Sequence, residues 1–216
     1  MRCLVVLLAP ANDQVRVSGK FFRVGARKWL LKGVTYGPFQ GEHSLPPRER
    51  VVADLQQIKA LGFNTLRLYA PPPRWFLEDC HAWGLRVLVG LQWPAHTDFL
   101  RDWFSVRDIL RQARTVVREL REEPALLGFI VGNEIPATLV RWMGAARVER
   151  FLDRLIGVCR KENPEALFVY ASYPTTEYLN PRSADFVASL SLGLARQNGT
   201  NYRVEEVTGC GVRRDP

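Results

Sequence analysis

The sequence lacks the residue spacings with which proteins hold structural metal ions. Its 216 residues include four cysteines and three histidines, but no CxxC pair and no histidine at ligand intervals. Structural zinc sites need four such ligands, usually in closely spaced pairs. We therefore expect no metal site and no cofactor. The residues concerned are Cys3, Cys80, Cys159, Cys210, His43, His81 and His96.

Long hydrophobic runs are also missing, because no stretch approaches the roughly 20 apolar residues that span a bilayer. The first nine residues, Met1–Ala9, resemble a signal peptide. Their apolar part is at the short limit, however, and no small-residue cleavage site follows it. We expect a soluble, cytoplasmic protein with no membrane partner, and secretion remains the alternative.

The sequence has no dense basic block, although its formal net charge is +8. Of its 30 basic residues 25 are arginine, and they are spread along predicted helix faces, often beside glutamate, as at Arg111, Arg114, Arg118 and Arg121. Nucleic-acid binding would need these charges concentrated on one surface with interleaved aromatic residues. We expect solvated helix faces and no nucleic-acid partner.

The chain is long enough for one domain or for part of a larger one. Residues 15–24 alternate and then turn at Gly25, which predicts a short N-terminal β-hairpin. From residue 30, five apolar strands alternate with amphipathic helical segments. The predicted strands are Leu30–Tyr36, Phe63–Tyr69, Leu85–Leu91, Leu126–Val131 and Ala166–Ala171. Such alternation indicates parallel strands with right-handed crossovers.

Two parallel architectures compete, an open doubly wound sheet and a closed eight-stranded barrel. A dinucleotide-binding sheet needs a glycine-rich phosphate turn after an early strand, and none is present. Polar and aromatic residues instead collect at the carboxyl ends of the strands, where barrels keep their sites. They are Thr35, Tyr36, Arg67, Tyr69, Gln92, Trp93, Asn133, Glu134, Tyr170 and Ser172. We predict an α/β fold, a partial TIM (β/α)8 barrel with about five to six of the eight strands.

The segment Leu126–Pro136 carries the strongest functional signal. Its buried run ends abruptly at Asn133 and Glu134, with Gly132 expected to let the backbone turn. A carboxyl group at the mouth of a barrel can give and take protons in catalysis. The alternative is a turn into a helix, with Asn133 as its cap and Glu134 in its first turn.

Three motifs together resemble the retaining (β/α)8 glycoside hydrolases with Asn-Glu at the end of strand four, above all glycoside hydrolase family 2. Lys32-Gly-Val-Thr-Tyr-Gly-Pro38 is similar to that family's opening strand, and Leu61-Gly-Phe-Asn-Thr-Leu-Arg67 to its second helix-to-strand passage. Gly132-Asn-Glu134 matches the strand that carries the acid/base. The resemblance runs from about residue 17 to 188.

The resemblance implies a retaining glycosidase acting on O-glycosidic bonds. Glu134 takes the role of acid/base, Asn133 binds the sugar 2-hydroxyl, and Arg67 supports the nucleophile electrostatically. A structural ion pair is the alternative for Arg67. Further candidates for contact with a carbohydrate substrate lie at the same strand ends and in the loops that follow. These are Tyr36, Tyr69, Trp93, His96, Tyr170 and Glu177, with rim packing as the alternative for the aromatic residues and a helix start for Glu177.

The family's nucleophilic glutamate follows strand seven, which this chain is not expected to reach. We divide the chain into an unassigned segment (1–14), a partial glycosidase-like domain (15–189) and an unpatterned tail (190–216), truncated or frame-shifted. The nucleophile is expected to be absent and the chain alone inactive. A non-catalytic carbohydrate-binding or regulatory module and a transglycosylase remain alternatives. Unclosed barrel edges also predict self-association.

Overall fold

The structure of the chain, a computed structural model, describes residues 14–19, 21–39, 45–172, 174–176, 178–197 and 200–208. The part nearest the N-terminus is a small antiparallel sheet with strand order β1-β2-β3. It has one strand more than the hairpin that the alternating pattern predicts. Its strands are β1 (Val15–Ser18), β2 (Phe21–Val24) and β3 (Arg27–Trp29).

A curled sheet of six parallel strands forms the body of the fold, with its neighbours in chain order. The predicted partial (β/α)8 barrel is therefore confirmed. The strands are β4 (Gly33–Thr35), β5 (Thr65–Leu68), β6 (Arg86–Gly90), β7 (Leu126–Asn133), β8 (Leu167–Ser172) and β9 (Phe186–Gln197). The helices between them are α1 (Arg48–Ala60), α2 (Arg74–Ala82), α3 (Trp103–Leu120), α4 (Ala137–Met143) and α5 (Ala145–Glu162), and a 3-10 turn covers Pro174–Thr176. None of the helices within the described ranges is long and apolar enough to cross a membrane.

The segment after residue 189 differs from the expectation of an unpatterned tail. Strand β9 continues to Gln197 and pairs in antiparallel fashion with β10 (Thr200–Thr208). The sheet curls so that β10 lies against β4, the strand at its opposite edge. The two edges that were expected to be open therefore face each other.

Two apolar layers follow from the alternation of side chains along the strands. One set, which includes Leu66, Val87 and Phe129, packs against the helices. The opposite set, which includes Leu88 and Ile130, fills the interior of the barrel. The small sheet contributes Val15 and Phe22 to this interior cluster, and the ring of Phe22 lies 4.9 Å from that of Phe186. The small sheet therefore packs against the interior cluster of the barrel.

Two free cysteines lie in the layer between sheet and helices. Cys80 on α2 and Cys159 on α5 are fully buried. Burial raises the pKa of the Cys159 thiol to about 12, and it raises the pKa of Cys80 strongly as well. Both thiols therefore keep their protons in the folded protein at a pH where an unfolded chain has lost them.

These thiols predict a loss of stability in alkaline solution. The contribution of the two thiols to the free energy of unfolding is constant below the pKa of an unfolded cysteine, about 8.5. It declines as the pH rises from that value toward the pKa in the folded protein. Each thiol should lower the free energy of unfolding by about 1.4 kcal/mol per pH unit in that window. The free energy of unfolding can be measured with urea at several pH values between about 9 and 11. Its decline with pH should be shallower by about 2.8 kcal/mol per pH unit in Cys80→Ala/Cys159→Ala than in the wild type. Equal slopes in the two proteins would contradict this assignment.

Candidate active site

A hydrogen bond that spans strand β6 joins Arg67 and Asn133. Arg67 on β5 is 5% exposed, and its Nη2 donates to Oδ1 of Asn133 at the end of β7. Strand β6 lies between these two strands. Both side chains are on the inner face of the sheet, and they meet over the carboxyl end of β6. The guanidinium carbon of Arg67 also lies 4.7 Å from the centre of the Tyr69 ring. Arg67 and Asn133 therefore lie in contact at the carboxyl ends of their strands.

A β-bulge in β7 directs Asn133 inward. Ile130 pairs with Val169 and Gly132 with Tyr170, so one extra residue, Val131, is accommodated between them. Strict alternation from the inward Ile130 would turn Asn133 toward the helices. The bulge shifts the alternation by one residue, and Asn133 faces the interior opposite Ala171. Bulges commonly re-aim side chains in this way beside active sites.

Glu134 occupies a strained backbone position directly after the strand. Its φ of 47° lies in the left-handed region, and it is the one non-glycine residue with positive φ in the part of the chain that the structure describes. Its N–H donates to the carbonyl of Ala171 at 2.9 Å, which fixes the turn. Such conformations cost about 1–3 kcal/mol and cluster at functional sites. The half-buried carboxyl group leaves the sheet here, one turn before α4.

The turn therefore falls at Glu134 and not at Gly132, where the sequence suggested it. Gly132 is needed for space, since an added Cβ would lie 3.2 Å from both Leu152 and the Tyr170 ring. Tyr170 itself is fully buried on the helix side of β8. Burial raises its pKa to about 12, although the Thr176 hydroxyl and the backbone of Ile135 oppose that shift. This placement favours support of the β7–β8 rim over contact with a substrate.

Tyr36 also lies between sheet and helices. Its hydroxyl donates to Oδ2 of Asp54 on α1 at 3.0 Å, and the side chain is 5% exposed. Burial, together with the charge of Asp54, raises the pKa of Tyr36 well above its usual value. A sugar ring cannot stack on a face that is covered by Phe39 and Phe76. The structure thus favours the packing alternative for Tyr36.

Trp93 is half-buried in the loop after β6. Its Nε1 donates to the carbonyl of Val131 at 2.8 Å, and its ring packs edge-on against Phe99 and Phe151 at 4.8 and 5.4 Å. The indole therefore ties this loop to the bulged residue of β7. Packing against α5 is the role that these contacts support.

The remaining predicted residues are less constrained. Tyr69 is half-buried beside Arg67, and His96 is exposed in the loop after β6. Glu177 lies outside the described residues. Trp142 on α4, which the sequence patterns did not indicate, is 78% exposed, and its Nε1 donates to Oδ2 of Asp98 at 3.4 Å.

The barrel interior beneath these residues is packed. Among the side chains that the structure describes here, a small cavity of about 10 Å³ is lined by Thr35, Thr65, Arg67 and apolar residues. That volume is near the lower limit for a single water molecule. Among the side chains that the structure describes, no cluster of three or more His, Cys, Asp or Glu could hold a metal ion.

Comparison with known proteins finds similarity in structure but not in sequence. No family model matches the chain, and no curated protein matches it either. The fold is similar to a β-mannanase from the blue mussel Mytilus edulis, with a TM-score of 0.60 and 14% identity over 75% of this chain. It is also similar to a β-glucuronidase from Ruminococcus gnavus, with a TM-score of 0.63 and 15% identity over 81% of this chain.

A third similar structure is Saccharomyces cerevisiae Gas2p in complex with laminaripentaose, with a TM-score of 0.60 and 20% identity over 77% of this chain. The chain spans 64% of the mussel mannanase, 42% of the Gas2p chain and 30% of the glucuronidase. It thus covers less than two thirds of each of these proteins. At these identities the comparisons establish the fold, a (β/α)8 barrel in part.

Proposed function

We propose that the chain is a glycoside hydrolase-type domain that acts on O-glycosidic bonds of a carbohydrate. The observation that carries the proposal is the hydrogen-bonded pair Arg67–Asn133 next to the strained Glu134, at the carboxyl end of a packed barrel. The names of the similar structures, a mannanase, a glucuronidase and a complex with laminaripentaose, support carbohydrate as the ligand class. The resemblance to glycoside hydrolase family 2 narrows the proposal to a retaining mechanism.

Asn133 is the proposed contact for a sugar hydroxyl. Its Oδ1 accepts from Arg67, so the side-chain amide cannot rotate freely. The Nδ2 amine is then the group that can donate to a ligand at the rim. Because the buried guanidinium is held on β5, this donor has a fixed direction before any ligand binds. Preorganised donors of this kind are the ones that act efficiently in catalysis.

Glu134 is the proposed acid/base. In the first step its carboxyl proton passes to the glycosidic oxygen while the bond from that oxygen to the anomeric carbon breaks. A nucleophile forms the new bond to the anomeric carbon on the opposite face. In the second step the Glu134 carboxylate takes a proton from water, and the water oxygen replaces the nucleophile.

The nucleophile of this reaction is a second carboxylate about 5–5.5 Å from the first. Of the acidic side chains that the structure describes, none except Glu134 follows directly on a parallel strand. Asp185 precedes β9, where it accepts from Arg160 and from the Phe168 N–H at 2.9 and 2.6 Å. We therefore propose that this chain supplies the acid/base but not the nucleophile.

An added nucleophile provides the test. The purified chain should hydrolyse a panel of 2,4-dinitrophenyl β-glycosides (glucoside, galactoside, mannoside and glucuronide) very slowly. Azide is small enough to occupy the space of a missing carboxylate, and it should accelerate cleavage of one of these substrates by about a hundredfold or more. The product should be the α-glycosyl azide, because azide attacks the face opposite the leaving group.

Three outcomes decide between the functions. Rapid hydrolysis without azide would show that the chain contains its own nucleophile, against the proposal. Saturable binding of a glycoside without cleavage in either condition would assign the rim to a non-catalytic binding module. Glycosyl azide with the β configuration would exclude attack from the face that a retaining enzyme uses.

A further inference from the structure

A basic groove lies between α3 and α5 on the outside of the barrel, away from the proposed site. Its volume is about 520 Å³, within the range of about 300–1,000 Å³ that ligand pockets occupy. One wall carries four arginines at intervals of three or four residues along α3, and Arg154 on α5 faces them. At about 1.5 Å per residue the row extends for about 16 Å. The four are Arg107, Arg111, Arg114 and Arg118.

Among the side chains that the structure describes, carboxylates pair with two of these five arginines. Arg111 pairs with Asp108, and Arg114 pairs with Glu162 at 2.5 Å. The hydrogen bond from Arg114 lowers the pKa of Glu162, and the nearby charges of Arg118 and Arg121 lower it further. Glu162 therefore stays ionised. Five arginines against two carboxylates leave a net charge of about +3 in the groove.

The floor of the groove is apolar. Val106 and Leu110 of α3 and Val158 of α5 line it, and Trp103 closes one end. Trp103 is 60% exposed and stacks on Phe104, which is 66% exposed, with ring centres 3.8 Å apart. Arg107 lies over the Trp103 ring at 6.0 Å. An aliphatic floor between cationic walls suits a ligand with an apolar face and anionic flanks.

We propose that this groove binds an acidic amphipathic helix of a protein partner. Leucine or isoleucine side chains at positions i, i+3, i+4 and i+7 of such a helix would cover the floor. Aspartate and glutamate on either side of that stripe would pair with the arginines, whose guanidinium groups bind carboxylates in a bidentate manner. Apolar burial and charge then favour the same orientation.

Other occupants satisfy only part of the surface. A second copy of this chain is opposed by charge, since each copy carries a formal +8. A nucleic acid or an anionic glycan would pair with the arginines but would leave Val106, Leu110 and Val158 against polar groups. The apolar floor therefore favours a peptide.

Fluorescence anisotropy with two labelled peptides tests the proposal. The first is an 18-residue helix of leucine, glutamate and alanine with leucines at i, i+3, i+4 and i+7, and the second has the same composition in scrambled order. The 216-residue chain should bind the first peptide at least about tenfold more tightly than the second. The double variant Arg118→Glu/Arg154→Glu should weaken binding by about tenfold or more.

Two controls separate the groove from general electrostatics. Arg150→Glu/Arg147→Glu makes the same change in charge on α5 outside the groove, and it should leave the affinity within about twofold of the wild type. Val158 lies at the half-buried edge of the floor. Val158→Ser should weaken the binding of the amphipathic peptide but not the binding of heparin or of an 18-base-pair DNA duplex. The proposal would be overturned if the scrambled peptide, heparin or DNA bound as tightly as the amphipathic peptide. It would also be overturned if the two double variants lost affinity for the amphipathic peptide to the same degree.

Discussion

Replacement of Glu134 by glutamine is expected to slow azide-supported cleavage of a phenyl β-glycoside by about a thousandfold. Phenolate is a poor leaving group, so its oxygen must receive a proton as the bond to the anomeric carbon breaks. Glutamine has the shape of glutamic acid but no proton to transfer. With a 2,4-dinitrophenyl leaving group, which departs as a stable anion, the same variant should lose less than about tenfold. Initial rates with both substrates, in azide, provide the measurement.

The difference between the two leaving groups is what distinguishes an acid from a structural residue. A variant that distorted the rim would slow both substrates equally. Glu119→Gln makes the same chemical change on an exposed face of α3 and should alter neither rate. If phenyl and dinitrophenyl substrates lost activity to the same degree in Glu134→Gln, the assignment of Glu134 as the acid would be wrong.

Strands β4 to β8 were predictable from the sequence because each is a short apolar run between glycine or polar residues. The run Leu126–Val131 predicted β7, and the runs around residues 63–69 and 85–91 predicted β5 and β6. Buried parallel strands require such runs, since both of their faces are covered. The sequence also placed Arg67, Asn133 and Glu134 at the same end of the sheet, because parallel strands share their carboxyl edge.

The direction of each side chain was not predictable, because a continuous apolar run has no visible alternation. Tyr36 and Tyr170 were expected at the mouth of the barrel, yet both lie between sheet and helices. Asn133 points inward because of the bulge at Val131, and no residue type in β7 predicts a bulge at this position. A shift of one residue exchanges the two faces of a strand, so a missed bulge places every following side chain of the strand on the wrong face.

The pairing of β9 with β10 had a signal that was overlooked. Leu190, Leu192 and Leu194 alternate with small or polar residues, and Asn198-Gly199 is the dipeptide most typical of two-residue hairpin turns. This antiparallel pattern differs from the strand–helix alternation of the preceding residues. The expectation of self-association assumed edges that meet no strand, whereas β10 lies against β4. Whether the chain self-associates stays a prediction for sedimentation to test.

Replacement of Gly128 by alanine is expected to destabilise the domain by about 3 kcal/mol or more. A Cβ at this position in β7 would lie 2.1 Å from the carbonyl oxygen of Leu167 and 2.8 Å from its carbonyl carbon. These are backbone atoms of the neighbouring strand, so no side chain can rotate to make room. The two strands must separate, which weakens the parallel pairing between Gly128 and Leu167. The β7–β8 pair also carries Asn133 and Ala171, so the site should lose its geometry together with stability.

Gly157 offers a matched control for this substitution. It lies on α5, where no atom is found within 4 Å of an added Cβ. Alanine is a better helix former than glycine by about 1 kcal/mol, so Gly157→Ala should raise the free energy of unfolding by up to that amount. In thermal melts the two variants should therefore move in opposite directions, with Gly128→Ala lower by roughly 6–12 °C at about 2–4 °C per kcal/mol. An equal melting temperature for Gly128→Ala and the wild type would contradict the close approach, in which an added Cβ lies 2.1 Å from the carbonyl oxygen of Leu167.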